Sequence, residues 1–335
     1  KALILAAKKV FKKVEVLHGS RDYIQVTYKG YTLEIIPVLK LKSPSQAKNS
    51  MDASPFHVKY VRNKIKKDLK LADEIRLFKA FAKAQNVYGA ESYMEGFSGY
   101  SSELLVVCFK NFLNLAKELE KAQPKVFLDP AKSYSSTSQI KSALPKSKLN
   151  SPIVLIDPVL KKRNTAAALS FERYAKLIFS LRKFLRNPKK SYFKQKPLTL
   201  DYIKKVSEKR GTLLVTHKIK APSEKKDIFF SKLVKKLKRL CARLEKEDIP
   251  VYDYGFFGEN TVTLFIETSA LKVSKTKKHI GPPVWVPKKY FEEFIKKWGK
   301  KVYVSSNNLC VDVKRKFNKI KPYVKSELKE ATKDV

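Results

Sequence analysis

An α+β protein of two or three domains is what this sequence predicts. Three observations point there: an alternating hairpin near the start, amphipathic helices through the middle, and a strand, a long helix and two strands in the last third. With 335 residues, 43% of them hydrophobic, the chain can bury more than one core.

Residues 2–14 read as a helix with Leu3, Leu5, Ala6, Val10 and Phe11 apolar. Residues 23–28 and 31–37 alternate about Lys29-Gly30, the pattern of a β-hairpin with a glycine turn. In its second strand Leu33 and Ile35 share one face and Thr32, Glu34 and Ile36 the other. Glu34 is thus a lone carboxylate in a largely apolar strand, either facing solvent or an ion pair, or serving as a metal ligand.

Ser54-Pro55 opens a helical region, with His57 two residues further on, a packing residue or a ligand. Leu71, Ile75, Phe78 and Ala82 mark a helix running to about Gln85, flanked by the basic row Arg76, Lys79 and Lys83, which a solvated face explains equally well. Tyr88-Gly89 ends it. The loop from Gly96 to Gly99 is ordinary helix punctuation or a phosphate approach, and helices at about 101–109 and 110–122 follow.

Residues 132–151, rich in Ser, Lys and Pro, read as an exposed loop, and 153–156 as a short apolar strand. Ser170 caps a helix with Tyr174, Leu177, Ile178, Leu181 and Phe184 inward; Asn187-Pro188 stops it and the stretch to Pro197 reads as a linker. Strand 212–216, helix 227–246 and strands 251–256 and 261–268 form a fragment of split βαβ, ferredoxin-like architecture. Helix 288–298, two short strands near Val302 and Val311 and a basic helix close the chain.

Seventy-two Lys+Arg against 31 Asp+Glu give a net charge of +41, which suits a polyanionic partner: RNA, DNA or an anionic membrane surface. Binding through several phosphates would be steeply salt-dependent. No apolar run approaches the roughly 20 residues that span a bilayer, and no signal-peptide pattern opens the sequence, so it reads as cytoplasmic with no membrane partner. Cys108, Cys241 and Cys310 stand singly, as core thiols rather than zinc ligands or disulfide partners.

Several motifs in order carry more than composition does: Glu34-Ile35-Ile36-Pro37, Ser54-Pro55-Phe56-His57, Asn86-Val87-Tyr88-Gly89-Ala90-Glu91 with Gly96-Phe97-Ser98-Gly99-Tyr100 and Glu103-Leu104-Leu105, Asp157-Pro158-Val159 with Arg163-Asn164, Arg210-Gly211-Thr212, and Gly281-Pro282-Pro283-Val284. Together they resemble the archaeal-type (class I) CCA-adding enzymes, tRNA nucleotidyltransferases that build the 3′ CCA end without a template. The resemblance implies a partial nucleotidyltransferase-fold head at 1–50, a helical central neck like that of poly(A) polymerases and oligoadenylate synthetases at 51–187, and a tRNA-binding, ferredoxin-like α+β body with tail at 188–335.

That resemblance also implies a reaction and its residues. Carboxylates of the family hold two divalent ions, Mg2+ here, one activating the tRNA 3′ hydroxyl and one stabilising the leaving pyrophosphate. Glu34 falls on the third carboxylate, usually aspartate, and is the catalytic metal ligand. His57, Lys79 and Tyr88 fall on positions that bind the incoming CTP or ATP, and Arg163 is a candidate for an RNA or nucleotide phosphate. The tRNA acceptor end is the macromolecular partner, and a homodimer or a complementing N-terminal head fragment is a further one.

The family's Gly-Ser signature and paired acidic residues precede the Glu34 counterpart, whereas Gly19-Ser20 is followed directly by Arg21-Asp22 and the hairpin and reads as a turn. The expectation is a chain that binds tRNA but polymerises poorly without an upstream or complementing segment. A non-catalytic RNA-binding protein and a poly(A)-type polymerase are the rival readings.

Overall fold

The protein is described by a computed structural model covering residues 2–11, 13–17, 22–49, 51–222, 226–269, 272–333 and 335. Gly19, Ser20 and Arg21, read above as part of a turn, lie outside the described residues. Contacts group the chain into two units, Lys1–Pro197 and Leu198–Val335.

The first unit opens with α1 (Ala2–Val10), β1 (Glu15–Leu17), β2 (Tyr23–Tyr28) and β3 (Tyr31–Ile35). The helix stops short of residue 14 because Glu15–Leu17 are taken into the sheet, antiparallel to β2. Lys29 and Gly30 both have positive φ, 49° and 81°, the geometry of a two-residue hairpin turn whose twist matches the strands. Central β2 buries Ile24 and Val26, while edge strand β3 is exposed over most of its length.

Four helices follow: α2 (Ser54–Lys67), α3 (Leu71–Ala84), α4 (Gly99–Phe109) and α5 (Phe112–Lys121). Parallel strands β4 (Val126–Leu128) and β5 (Ile153–Leu155) bracket α6 (Thr137–Ala143), and α7 (Phe171–Arg186) completes the helical layer. The core joins Phe78, Phe81, Leu104, Leu105, Leu115 and Leu177, all fully buried.

Two expectations change here. Residues 132–151 are not simply an exposed loop: Ser136 caps α6 by accepting from the Gln139 amide, and Ile140 and Leu144, one helical turn apart, pack on Val154 and Ile156. Nor is 188–197 wholly a linker. Tyr192 and Phe193 pack around Phe81, with ring centroids 6.4 and 5.6 Å away, and Gln85 donates to the Tyr192 carbonyl.

The second unit contains α8 (Leu200–Arg210), β6 (Leu213–Lys220), α9 (Lys226–Lys246), β7 (Val251–Phe257) and β8 (Thr261–Thr268). Its strand order is β6-β8-β7, with β8 antiparallel to both neighbours, so β6, α9 and β7 form a βαβ crossover split by β8. Then come β9 (Thr276–Pro283), α10 (Lys288–Trp298), β10 (Tyr303–Ser305), β11 (Asn308–Lys314) and α11 (Ile320–Thr332), the three strands ordered β10-β11-β9.

Arg210-Gly211-Thr212 acquires a physical reason in this unit. Gly211 takes the left-handed conformation at the end of α8, and Arg210 and Thr212 both donate to Glu267, a central-strand carboxylate only 1% exposed. Cys241 and Cys310 are buried, and burial pushes the thiols of Cys241 and Cys108 up to about 12, so those two are inert at neutral pH. Among the described residues, no helix is long and apolar enough to cross a membrane.

Candidate functional site

The segment before α4 is a small closed scaffold. Phe97 and Gly89 amides donate to the Val87 and Phe97 carbonyls at 2.8 Å, and Gly96 donates to Gly89 at 2.7 Å. At Gly96 an added Cβ would collide with the Val87 and Gly89 carbonyls, so this glycine is required by close backbone approach. Arg173 of α7 braces the same loop through the Met94 and Asn86 carbonyls, and Ser98 caps α4 by accepting from the Ser101 amide.

This scaffold sets Tyr88 and Lys79 beside the first residue of α4. A Cβ built on Gly99 would lie 3.2 Å from the Tyr88 hydroxyl and 4.0 Å from Lys79 Nζ, so the absent side chain leaves that space open. Lys79 is held by Glu103 one helical turn into α4, at 2.6 Å and with both side chains about a quarter exposed (25% and 27%). Lys83 lies over the Tyr88 ring at 5.0 Å.

Tyr100, the next residue of α4, stacks on His57 with centroids 4.3 Å apart. Its hydroxyl donates to Asp157 Oδ1 at 3.2 Å, and the Val159 amide donates to the same oxygen at 2.9 Å. Asp157 Oδ2 lies 3.0 Å from Arg163 Nη1 and 3.0 Å from His57 Nε2, the latter out of line for a hydrogen bond. Asp157 is 0% exposed. Four of the five residues singled out in the sequence (His57, Lys79, Tyr88 and Arg163) therefore gather around Gly99-Tyr100.

The loop carrying Arg163 is equally fixed. The Asp157 amide donates to the Arg163 carbonyl, and buried Asn164 accepts from the Leu155 and Ala166 amides while donating to the Lys148 carbonyl and Ser151 Oγ, each at 2.9 Å. Asp157 and Tyr100 carry no role in the sequence reading, although an aspartate directly after a buried strand and six residues before an arginine is a usable signal. Glu103 likewise stands in a quoted motif without one.

Glu34 is placed differently. It is exposed on edge strand β3, where the Gln25 side-chain Nε2 donates to its carboxylate at 3.2 Å, the solvent-facing arrangement of the alternatives. Among the described residues, no hydrogen bond or ion pair links it to the cluster around Gly99, and no three His, Cys, Asp or Glu side chains gather as a metal site. One exposed carboxylate does not make a two-metal centre.

Burial drives the Asp157 carboxyl upward, but His57, the Val159 amide and Arg163 together outweigh it and leave it below the usual aspartate range. Burial, with Asp157 second, pushes the Tyr100 hydroxyl well above the tyrosine range. A depressed carboxyl stabilises the fold above its unfolded value, about 3.9, and that contribution disappears as pH falls through the folded value. Melting temperature followed from pH 7 to 3 should show an acid loss that Asp157→Asn reduces.

Comparison with known proteins places this arrangement. The family model "tRNA nucleotidyltransferase, second domain" matches residues 73–194, and "CCA-adding enzyme, C-terminal domain" matches 210–334. These define a tRNA nucleotidyltransferase class of protein. A CCA-adding enzyme of Nanoarchaeum equitans is 36% identical over 311 residues, covering 91% of this chain and 75% of the relative. Those of Methanosarcina barkeri (33%; 84% of this chain, 60% of the relative) and Methanosarcina mazei (28%; 96% and 70%) are also similar. The chain belongs to the CCA-adding enzyme family.

Proposed function

We propose that the protein adds and repairs the 3′-terminal CCA of tRNA, using CTP and ATP and releasing pyrophosphate. The observation that carries this is the convergence of His57, Lys79, Tyr88 and Arg163 at the start of α4, in a chain of this family. In this reading Lys79 exchanges Glu103 for triphosphate oxygens, Tyr88 offers its hydroxyl, and His57 and Arg163 present donors to phosphate. Positioning the triphosphate against the tRNA 3′ hydroxyl is the main catalytic contribution such a site makes.

Residues 1–50 are then part of the catalytic head, 51–187 the neck, and 188–335 the body and tail. The split crossover of β6, α9, β8 and β7 supports a ferredoxin-like body. Its lysines and arginines would meet tRNA phosphates, giving an affinity that falls steeply with salt. Glu34 is proposed as one ligand of a divalent ion such as Mg2+, whose remaining ligands are not assembled by the described residues.

The test is sequencing of the 3′ ends of a tRNA transcript lacking CCA after incubation of the natural full-length protein with CTP and ATP. Ordered addition of C, C and A is expected. Addition of A alone would indicate a poly(A)-type polymerase, and bound but unextended tRNA a non-catalytic binder. Glu34→Gln should lower addition beyond the roughly 10–100-fold typical of changes around a metal ligand. Because Glu34 is exposed, the same variant should keep its stability within about 0.5 kcal/mol.

A further inference from the structure

We infer that Asp157 is the positioning residue of the nucleotide site: its carboxylate fixes the His57 imidazole and the Arg163 guanidinium at one point, so that both meet the same anionic group. The inference rests on the nucleotide-binding reading of those two residues and assigns the side chain through which they act together.

The geometry is that of a hub. Asp157 is 0% exposed, and its two oxygens meet four partners: Tyr100 and the Val159 amide at Oδ1, His57 and Arg163 at Oδ2. These come from α2, α4 and the loop after β5, which makes Asp157 the shared point of three separate pieces of chain. A buried carboxylate is costly to keep, and a fold that needed only a plug at this point would be served as well by a neutral side chain.

What the charge accomplishes is visible in its partners. Arg163 uses Nη1 on Asp157 while its side chain remains 35% exposed, so part of the guanidinium fork stays free for a ligand. His57 is held on two sides, by the Tyr100 ring and by the carboxylate. The Arg163 loop is pinned independently by Asn164. Lys79 differs: its counter-ion, Glu103, is 27% exposed, so that pair can open for an incoming anion while Asp157 stays in place.

The experiment measures CTP and ATP dissociation constants and tRNA binding for the parent, Asp157→Asn, Asp157→Glu, Arg163→Ala, His57→Ala, Lys79→Ala and the double variant Asp157→Asn/Arg163→Ala. Asp157→Asn is expected to weaken both nucleotides roughly 10-fold or more, as outer-shell residues do. It should leave tRNA affinity unchanged and lose part of its effect in the Arg163→Ala background, where only the His57 contact remains, and Asp157→Glu should restore part of the loss.

Parent-like nucleotide binding by Asp157→Asn, or a loss fully additive with that of Arg163→Ala, overturns the inference while leaving the nucleotide-binding reading intact. If His57→Ala, Lys79→Ala and Arg163→Ala all bind nucleotides like the parent, that reading fails and the inference with it. Should Asp157→Asn not fold, Tyr100→Phe carries the test, because it removes one donor to Asp157 and retains the ring against His57. A several-fold nucleotide-specific loss supports the inference, and parent-like binding overturns it.

Discussion

Replacing Phe81 by alanine should destabilise the first unit by roughly 3–5 kcal/mol, the usual cost of deleting a buried aromatic side chain. Phe81 is 0% exposed and touches Phe112, Phe184, Tyr192 and Phe193, with ring centroids 5.2–6.4 Å away. The cavity would open between α3, α5, α7 and the 190–193 turn, so no single side chain can relax to fill it. Urea unfolding reads the loss directly. Phe193→Ala should reproduce part of it, which a residue in an unpacked linker would not do.

Asn164→Ala should be nearly as severe. Its side chain satisfies the amides of Leu155 and Ala166 and donates to Lys148, Ser151 and Ile153. Each buried group left without a partner costs about 1–3 kcal/mol, so two orphaned amides alone lose several. Nucleotide affinity should fall with stability, because the neighbouring Arg163 loses its fixed loop. Lys162→Ala, an exposed change two residues away, should stay within about 0.5 kcal/mol of the parent in the same urea titration.

The contrast between these sites shows what the sequence made legible. Lys29-Gly30 announces its own turn, and Leu71, Ile75, Phe78 and Ala82 announce a helix, because the relevant physics is local. Phe193 and Tyr192 are two aromatics in a lysine-rich stretch, and nothing near them says that Phe81 is waiting. Ile140 and Leu144 suffer similarly: a serine-rich neighbourhood masks a single apolar turn whose meaning depends on Val154 and Ile156.

The candidate site divides the same way. His57, Tyr88 and Arg163 stand in motifs, whereas Lys79 is one of a basic row that a solvated face explains equally well; their convergence gives the four a shared location. Asp157 was present in a quoted motif, but its importance comes from Tyr100 and His57, which are 57 and 100 positions away in the chain. In the sequence Glu34 stays open between a solvent-facing and a metal-binding carboxylate, because the pattern around Leu33 and Ile35 does not reveal that β3 is an edge strand on which it is exposed.

Gly96 sets a limit on how this protein can vary. Because two carbonyl oxygens occupy the volume where any larger residue would begin, drift at this position is closed even to alanine, whatever backbone angles the substitute prefers. Gly30 and Gly211 have only open space around them, so asparagine or aspartate could inherit those positions at a modest conformational penalty, whereas Gly299, equally unobstructed, has φ 59° and ψ −142°, backbone angles that only glycine adopts readily. Lineages of this chain can therefore exchange Gly30 and Gly211, while Gly96, and likewise Gly258 against the Thr261 carbonyl, must be inherited unchanged.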